Sequence, residues 1–209
     1  MEKKNNANAI SVYQTDKRLI ELRDKLNSST PENYAKLHGG EENGKKIYSN
    51  IGVVLLDYSN GTGSNTVKVY VNVSPEDIFW LNCALSQGRQ EFLMEQQKIF
   101  GLPDENGYSK CTKLRIVREG VDKSGAVRRY PWCISAENGL GIAAKTAIGG
   151  TFCKGGTYKC TSKAYIMVSD EDLFRLVNRA ARYIELFERT YCPSVIEAGR
   201  ALNNSNQNF

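Results

Sequence analysis

One histidine, His38, is all that the 209 residues provide, and the six cysteines at 83, 111, 133, 153, 160 and 192 include no CxxC pair. The two shortages remove the usual zinc-ligand spacings and make the common His-based triads poor candidates, so no metal, cofactor or catalytic residue is assigned and the chain reads as a non-enzyme. Reduced, mostly buried thiols in a cytoplasm account for the cysteines best. Long apolar runs are scarce as well. The longest block is Val53 to Leu56, against the ~20 residues that a membrane-crossing helix needs. No apolar region follows the basic N-terminus, which leaves no sign of a leader segment. These absences predict a soluble cytoplasmic protein without membrane contact.

What is present supports a packed core: 41% of the residues are apolar, and the length suits one large domain or two small, closely packed halves. Residues 1 to 9 and 203 to 209 are polar and asparagine-rich, with too little apolar surface to offset the entropy of ordering them. TDKRLIELRDKL, residues 15 to 26, spaces Leu19, Leu22 and Leu26 for a helix, and STPENYAKLHGG offers a second short helix stopped by glycines. Residues 46 to 58 and 66 to 73 read as strands joined by SNGTGSN, with GLPDENGYSK a later connector. Further strands are expected at 111 to 118, 126 to 134 and 158 to 168, linked by GVDKSG and a glycine-rich stretch from 137 to 156. A final helix runs to about Arg189 and stops before Pro193.

The chain thus divides into a disordered 1–9, a helical 10–44, a first strands-and-helix unit over 45–100, a connector over 101–110, a second unit over 111–190 and a tail over 191–209. The two units share text. At an offset of 95, Lys68, Tyr70, Val73, Ser74, Glu76, Asp77, Phe79 and Leu81 recur as Lys163, Tyr165, Val168, Ser169, Glu171, Asp172, Phe174 and Leu176. In each copy a strand ends at a serine able to cap a helix whose first turn carries acids, which complements the positive helix end. The fold class expected is α+β, with two pseudo-twofold-related units of antiparallel strands, each followed by a helix.

Charge is concentrated. Between Lys110 and Lys163 there are eleven Lys or Arg against Glu119, Asp122 and Glu137, a local net of +8 in a chain of +5. Such a cluster is an electrostatic footprint for an anionic polymer. Strand alternation turns Val67, Val69, Val71 and Val73 to one side and Lys68 and Tyr70 to the other. It does the same with Ala164, Ile166 and Val168 against Lys159, Lys163 and Tyr165. Lys113 with Arg115, and Arg128 with Tyr130 and Trp132, also share sides of their strands. Cations interleaved with aromatic rings suit single-stranded nucleic acid, where phosphates are neutralised and bases stack.

Two strands-then-helix copies with basic, aromatic sheet faces over roughly residues 45 to 190 resemble the Whirly and transcriptional positive-cofactor-four type of single-stranded DNA-binding fold. The resemblance implies two four-stranded sheets and their helices about a pseudo-twofold axis, and binding of single-stranded nucleic acid on the sheets. The expected binding residues are Lys68, Tyr70, Lys113, Arg115, Arg128, Tyr130, Trp132, Lys159, Lys163 and Tyr165. A different class stays open, a protein-interaction or inhibitor module of a phage or mobile element whose basic face meets an acidic protein surface.

Several patterns tempt and fail. GLGIAAKT, residues 139 to 146, approximates a phosphate-binding loop but has Ala144 where the last glycine belongs. Glu76-Asp77 and Glu171-Asp172 are explained by the helix dipole. Cys153 and Cys160 flank KGGT. With a two-residue turn at Gly155-Gly156 they face opposite sides of the ribbon and cannot bridge, and a shift of one residue would reverse that.

Overall fold

The computed structural model describes residues 8–27, 37–42 and 45–206. In chain order these form β1 (Ala9–Gln14), β2 (Arg18–Lys25), β3 (Gly39–Glu42), β4 (Lys45–Tyr48), β5 (Asn50–Asp57), β6 (Val67–Val73) and α1 (Pro75–Ser86). There follow β7 (Glu91–Phe100), β8 (Tyr108–Glu119), β9 (Trp132–Lys145), β10 (Thr151–Cys153), β11 (Lys159–Val168) and α2 (Asp170–Asn206). The class is α+β, two α-helices with antiparallel sheets. One sheet has the order β1-β2-β5-β6 and precedes α1. In the other, β7, β8 and β9 are neighbours, β11 pairs with β9 along Trp132–Leu140, and β10 takes up Ala143–Lys145 of the same strand. β3 and β4 make a separate two-stranded ribbon.

In each copy of the repeated text a strand leads into a helix whose first amides are met by the serine between them. Ser74 Oγ accepts from the Asp77 amide at 3.1 Å while Asp77 accepts from the Ser74 amide at 2.9 Å, a closed capping box at the start of α1. At α2, Ser169 Oγ accepts from the Asp172 amide at 3.1 Å and donates to the Asp172 carboxylate at 2.7 Å. Just before each cap, alternation buries Val69, Val71 and Val73 in one copy and Ala164, Ile166 and Val168 in the other.

Five expectations about elements are corrected. Residues 18–25 are strand β2, not helix: Ile20 and Leu22 alternate into the core, and β1 and β5 supply backbone partners on both edges, which overrides the leucine spacing. The expected second helix, residues 29 to 40, lies outside the described residues over 29–36, and its remainder is not helix, since residues 37–38 are a turn and 39–42 are β3. Residues 91–100, assigned above to the first unit, are β7, whose side chains alternate between exposed and buried and which pairs with β8 over its full length. Residues 126–131 are loop, tied by a Val121–Val127 bridge, and β9 starts at Trp132 and continues through the glycine-rich stretch to Lys145. Finally, α2 passes through Pro193 and reaches Asn206. Proline removes one helical hydrogen bond, but Val195 beyond it is buried and anchors the last turns. Residues 1–7 lie outside the described residues, whereas Ala9 already belongs to β1 and the Asn8 carbonyl accepts from the Asp24 amide at 2.7 Å.

A single apolar core runs through both sheets and both helices. Ile20, Val53 and Val71 meet Leu81 of α1, Ile116, Ile134 and Ile166 of the second sheet, and Leu176 and Ile184 of α2. Where β6 crosses the second sheet no ladder forms. Instead the Asn138 side chain of β9 donates to the Tyr70 carbonyl at 2.7 Å and accepts from the Tyr70 amide at 3.1 Å. Among the described residues no helix is long and apolar enough to cross a membrane.

Candidate nucleic-acid interface

With Leu114, Ile116, Ile134, Ala136, Ala164 and Ile166 turned into the core, the intervening residues of β7, β8, β9 and β11 occupy the opposite face of the sheet. Strand register orders them in rows. Glu95, Arg115, Ser135 and Tyr165 are successive partners across the sheet, and so are Gln97, Lys113, Glu137 and Lys163. Four expected residues therefore share one open face, Lys113 and Arg115 on β8 and Lys163 and Tyr165 on β11, with Glu137 and Ser135 of β9 between the two pairs. Tyr165 remains 40% exposed.

Each cation on this face already has a neighbour. Arg115 Nε donates to Glu95 at 2.9 Å, and Lys163 Nζ lies 2.8 Å from Glu137. The Lys163 hydrogen bond pulls the Glu137 carboxyl below its ordinary range against a smaller opposing effect of burial, and the same bond raises Lys163. Lys113 Nζ sits 3.8 Å from the centre of the Tyr158 ring. Tyr158 in turn is held protonated well above its usual range, by burial first and then by the nearby Glu137. Arg18 of β2 stacks 3.8 Å from the Tyr165 ring centre while its Nε donates to Asp57 at 2.9 Å. Burial pushes Asp57 upward, but its Ser59 hydrogen bonds and Arg18 prevail and bring it to about 2.

One end of the face is walled. Tyr158 roofs Gly139, where an added Cβ would come within 2.7 Å of its ring and against the Lys159 carbonyl, and Cys153 similarly covers Gly141. Cys111 and Ser109, on the same side as Lys113, are buried there.

Lys68 and Tyr70 are on the other sheet. Lys68 is exposed, and the Tyr70 ring lies over Gly52 of β5 with Lys25 Nζ 4.4 Å above it. The Tyr70 hydroxyl is buried without a hydrogen-bond partner among the described residues.

The remaining expected residues are corrected. Trp132 is 1% exposed, packs on Phe92 and donates its indole N–H to Asp170 at 2.8 Å, so it belongs to the core. Arg128 and Tyr130 share no strand with it. Arg128 braces its own loop, 3.2 Å from Glu119 and donating to the Val121 carbonyl at 3.1 Å, and Tyr130 is exposed on that loop. Lys159 is on the wrong face for this site. An extra residue between Cys160 and Ser162 shifts the register, pairing Lys159 with Leu140 and setting its Nζ 4.1 Å over the Tyr108 ring. A one-residue bulge exchanges the faces on either side of it. The phosphate-loop lookalike at 139–145 is extended strand, and Cys153 and Cys160 are free thiols that both pair with β9 rather than with each other's strand.

Sequence reasoning missed Glu95, Glu137, Tyr158, Arg18 and Lys25. Alternation would have placed the two glutamates opposite Arg115 and Lys163 only once β7 and the glycine-rich stretch were recognised as strands. Compared with known proteins, the chain matches no family model, no curated protein and no solved structure.

Proposed function

We propose that this protein binds single-stranded nucleic acid, DNA in preference, without catalysis, on the open face of β7, β8, β9 and β11. The observation that carries this reading is the pair of register rows that set Arg115 and Tyr165 on either side of Ser135, and Lys113 and Lys163 on either side of Glu137, all on one face of the sheet. Phosphates would replace Glu95 and Glu137 on Arg115 and Lys163, and a base would stack on Tyr165. Lys68 and Tyr70 form a lesser counterpart on the first sheet. We read the four-stranded sheet with α1, and β7, β8, β9 and β11 of the five-stranded sheet with α2, as copies of one unit about a pseudo-twofold axis, as in the Whirly type, on the strength of their strand orders and Ser-Asp helix starts. The cytoplasm, which keeps thiols reduced, suits six free cysteines of which two are exposed.

Fluorescence polarisation with a labelled oligothymidylate tests the reading. Three phosphate contacts predict a log–log salt slope of about −2, and Tyr165→Ala should cost ~1–3 kcal/mol of binding. Glu95→Gln with Glu137→Gln should tighten binding, because phosphate no longer competes with a carboxylate. Absence of binding at low salt, or affinity indifferent to salt, overturns the proposal.

A further inference from the structure

A second depression of the surface lies away from the sheet face. It runs between β1 and α2, lined by Ala9 to Tyr13 on one wall and by α2 residues from Asp172 to Leu186 on the other. Five consecutive β1 residues line it, so it follows the strand's edge and not one face, since alternate side chains of a strand point to opposite sides. β1 ends the sheet order, and among the described residues no strand pairs with its second edge. That edge spans about 16 Å. The α2 wall from Phe174 to Leu186 spans about 18 Å, so the two walls match in length.

Chemistry distinguishes the walls. Val12, Phe174 and Leu186 are large apolar side chains exposed along the groove. Arg175, Arg179 and Arg182 recur at helical spacing on the α2 side. Arg175 is occupied by Glu171 and Asp172, but Arg179 and Arg182 have no acidic partner among the described residues. Asp172 lines the groove yet serves the Ser169 cap. Tyr183 is fixed by donating to Asp24 at 2.7 Å, and Ser11 Oγ donates to the Leu176 carbonyl at 2.9 Å, so both walls are held in place.

We propose that this groove docks an extended acidic segment of a partner protein, about five residues long, which adds to the free edge of β1 and sets carboxylates against Arg179 and Arg182 while its apolar side chains meet Val12, Phe174 and Leu186. An exposed strand edge offers main-chain hydrogen bonds, and the flanking side chains supply selectivity. A second copy fits worse: its β1, AISVYQ, carries no acid and would leave the arginines uncompensated. The inference is independent of the sheet-face proposal, since the two share no residue.

The probe is a fluorescein-labelled octapeptide alternating glutamate with leucine, titrated into the full chain. Arg179→Glu/Arg182→Glu changes two exposed side chains, and unaltered circular dichroism confirms its fold. Saturable binding that weakens about tenfold or more in that variant supports the proposal. So do a similar loss on N-methylating alternate peptide amides and retained oligothymidylate binding by the variant. No binding, or affinity unaffected by the charge reversals or by N-methylation, overturns it. Displacement of the peptide by oligothymidylate would make the groove a nucleic-acid site instead, and a dimer in sedimentation that the peptide dissolves would make a second copy the occupant; either outcome overturns the proposal.

Discussion

Arg118, Asp170 and Trp132 show how single side chains decide between core and surface. Arg118 is almost fully buried and holds both oxygens of Asp170, at 2.9 and 3.1 Å, while its remaining nitrogen donates to the Gln90 carbonyl at 2.6 Å. Asp170 also accepts from Trp132, which lets an indole enter the core with its N–H satisfied. Trp132→Ala should therefore cost ~3–5 kcal/mol in a denaturant titration, whereas Tyr165→Ala on the open face, which loses the Arg18 stacking, should cost only about 1 kcal/mol. The Arg118 hydrogen bonds hold the Asp170 carboxyl below its usual range, burial opposing. A depressed folded value means that this contribution is complete above the unfolded carboxylate range, near pH 4, and fades as pH falls through the folded value. Asp170→Asn should lower Tm at pH 7 by about 2–4 °C, solvent screening of the half-exposed carboxylate limiting the loss to ~1 kcal/mol. As pH falls through the folded value wild type and variant should converge in calorimetry, and a gap unchanged with pH would contradict the linkage.

Among elements, what was legible follows from how local the cause is. Both helix starts could be read from Ser-x-x-Asp, because the cap is made within four residues. The strand β6 could be read from its valines. β2 could not, since Leu19, Leu22 and Leu26 satisfy a helical period while the hydrogen bonds that make it a strand come from β1 and β5. Tertiary pairing outweighed local spacing. Lys113, Arg115, Lys163 and Tyr165 were placed on the correct face because alternation runs unbroken through them, but Lys159 was not, because the bulge before Ser162 leaves no mark in composition. Gly139 and Gly141 suggested a loop, whereas they serve close approach of Tyr158 and Cys153 in mid-strand. Gly139→Ala should destabilise the protein by ~1–3 kcal/mol, read as a lower denaturant midpoint with unchanged slope. An unchanged midpoint would mean that the Tyr158 roof yields without cost.

At the scale of the whole molecule, net charge was a poor guide to the site, since much of the local excess lies on loops, on the second face of the strands, or against Glu95 and Glu137. The shared core, by contrast, ties the halves into one unit. Denaturation followed by tryptophan fluorescence and by far-ultraviolet circular dichroism should give coincident single transitions; separated transitions would mean that the two sheets unfold independently. The bond from Ser11 to Leu176 joins positions 165 residues apart. A ribosome releases the first strand long before the helix that completes its burial, an interval of the order of ten seconds at ordinary rates of synthesis. During that time the nascent chain carries an unfinished sheet with an adhesive rim, so its yield in a cell should depend on holding factors and on translation speed more than the stability of the finished protein would suggest.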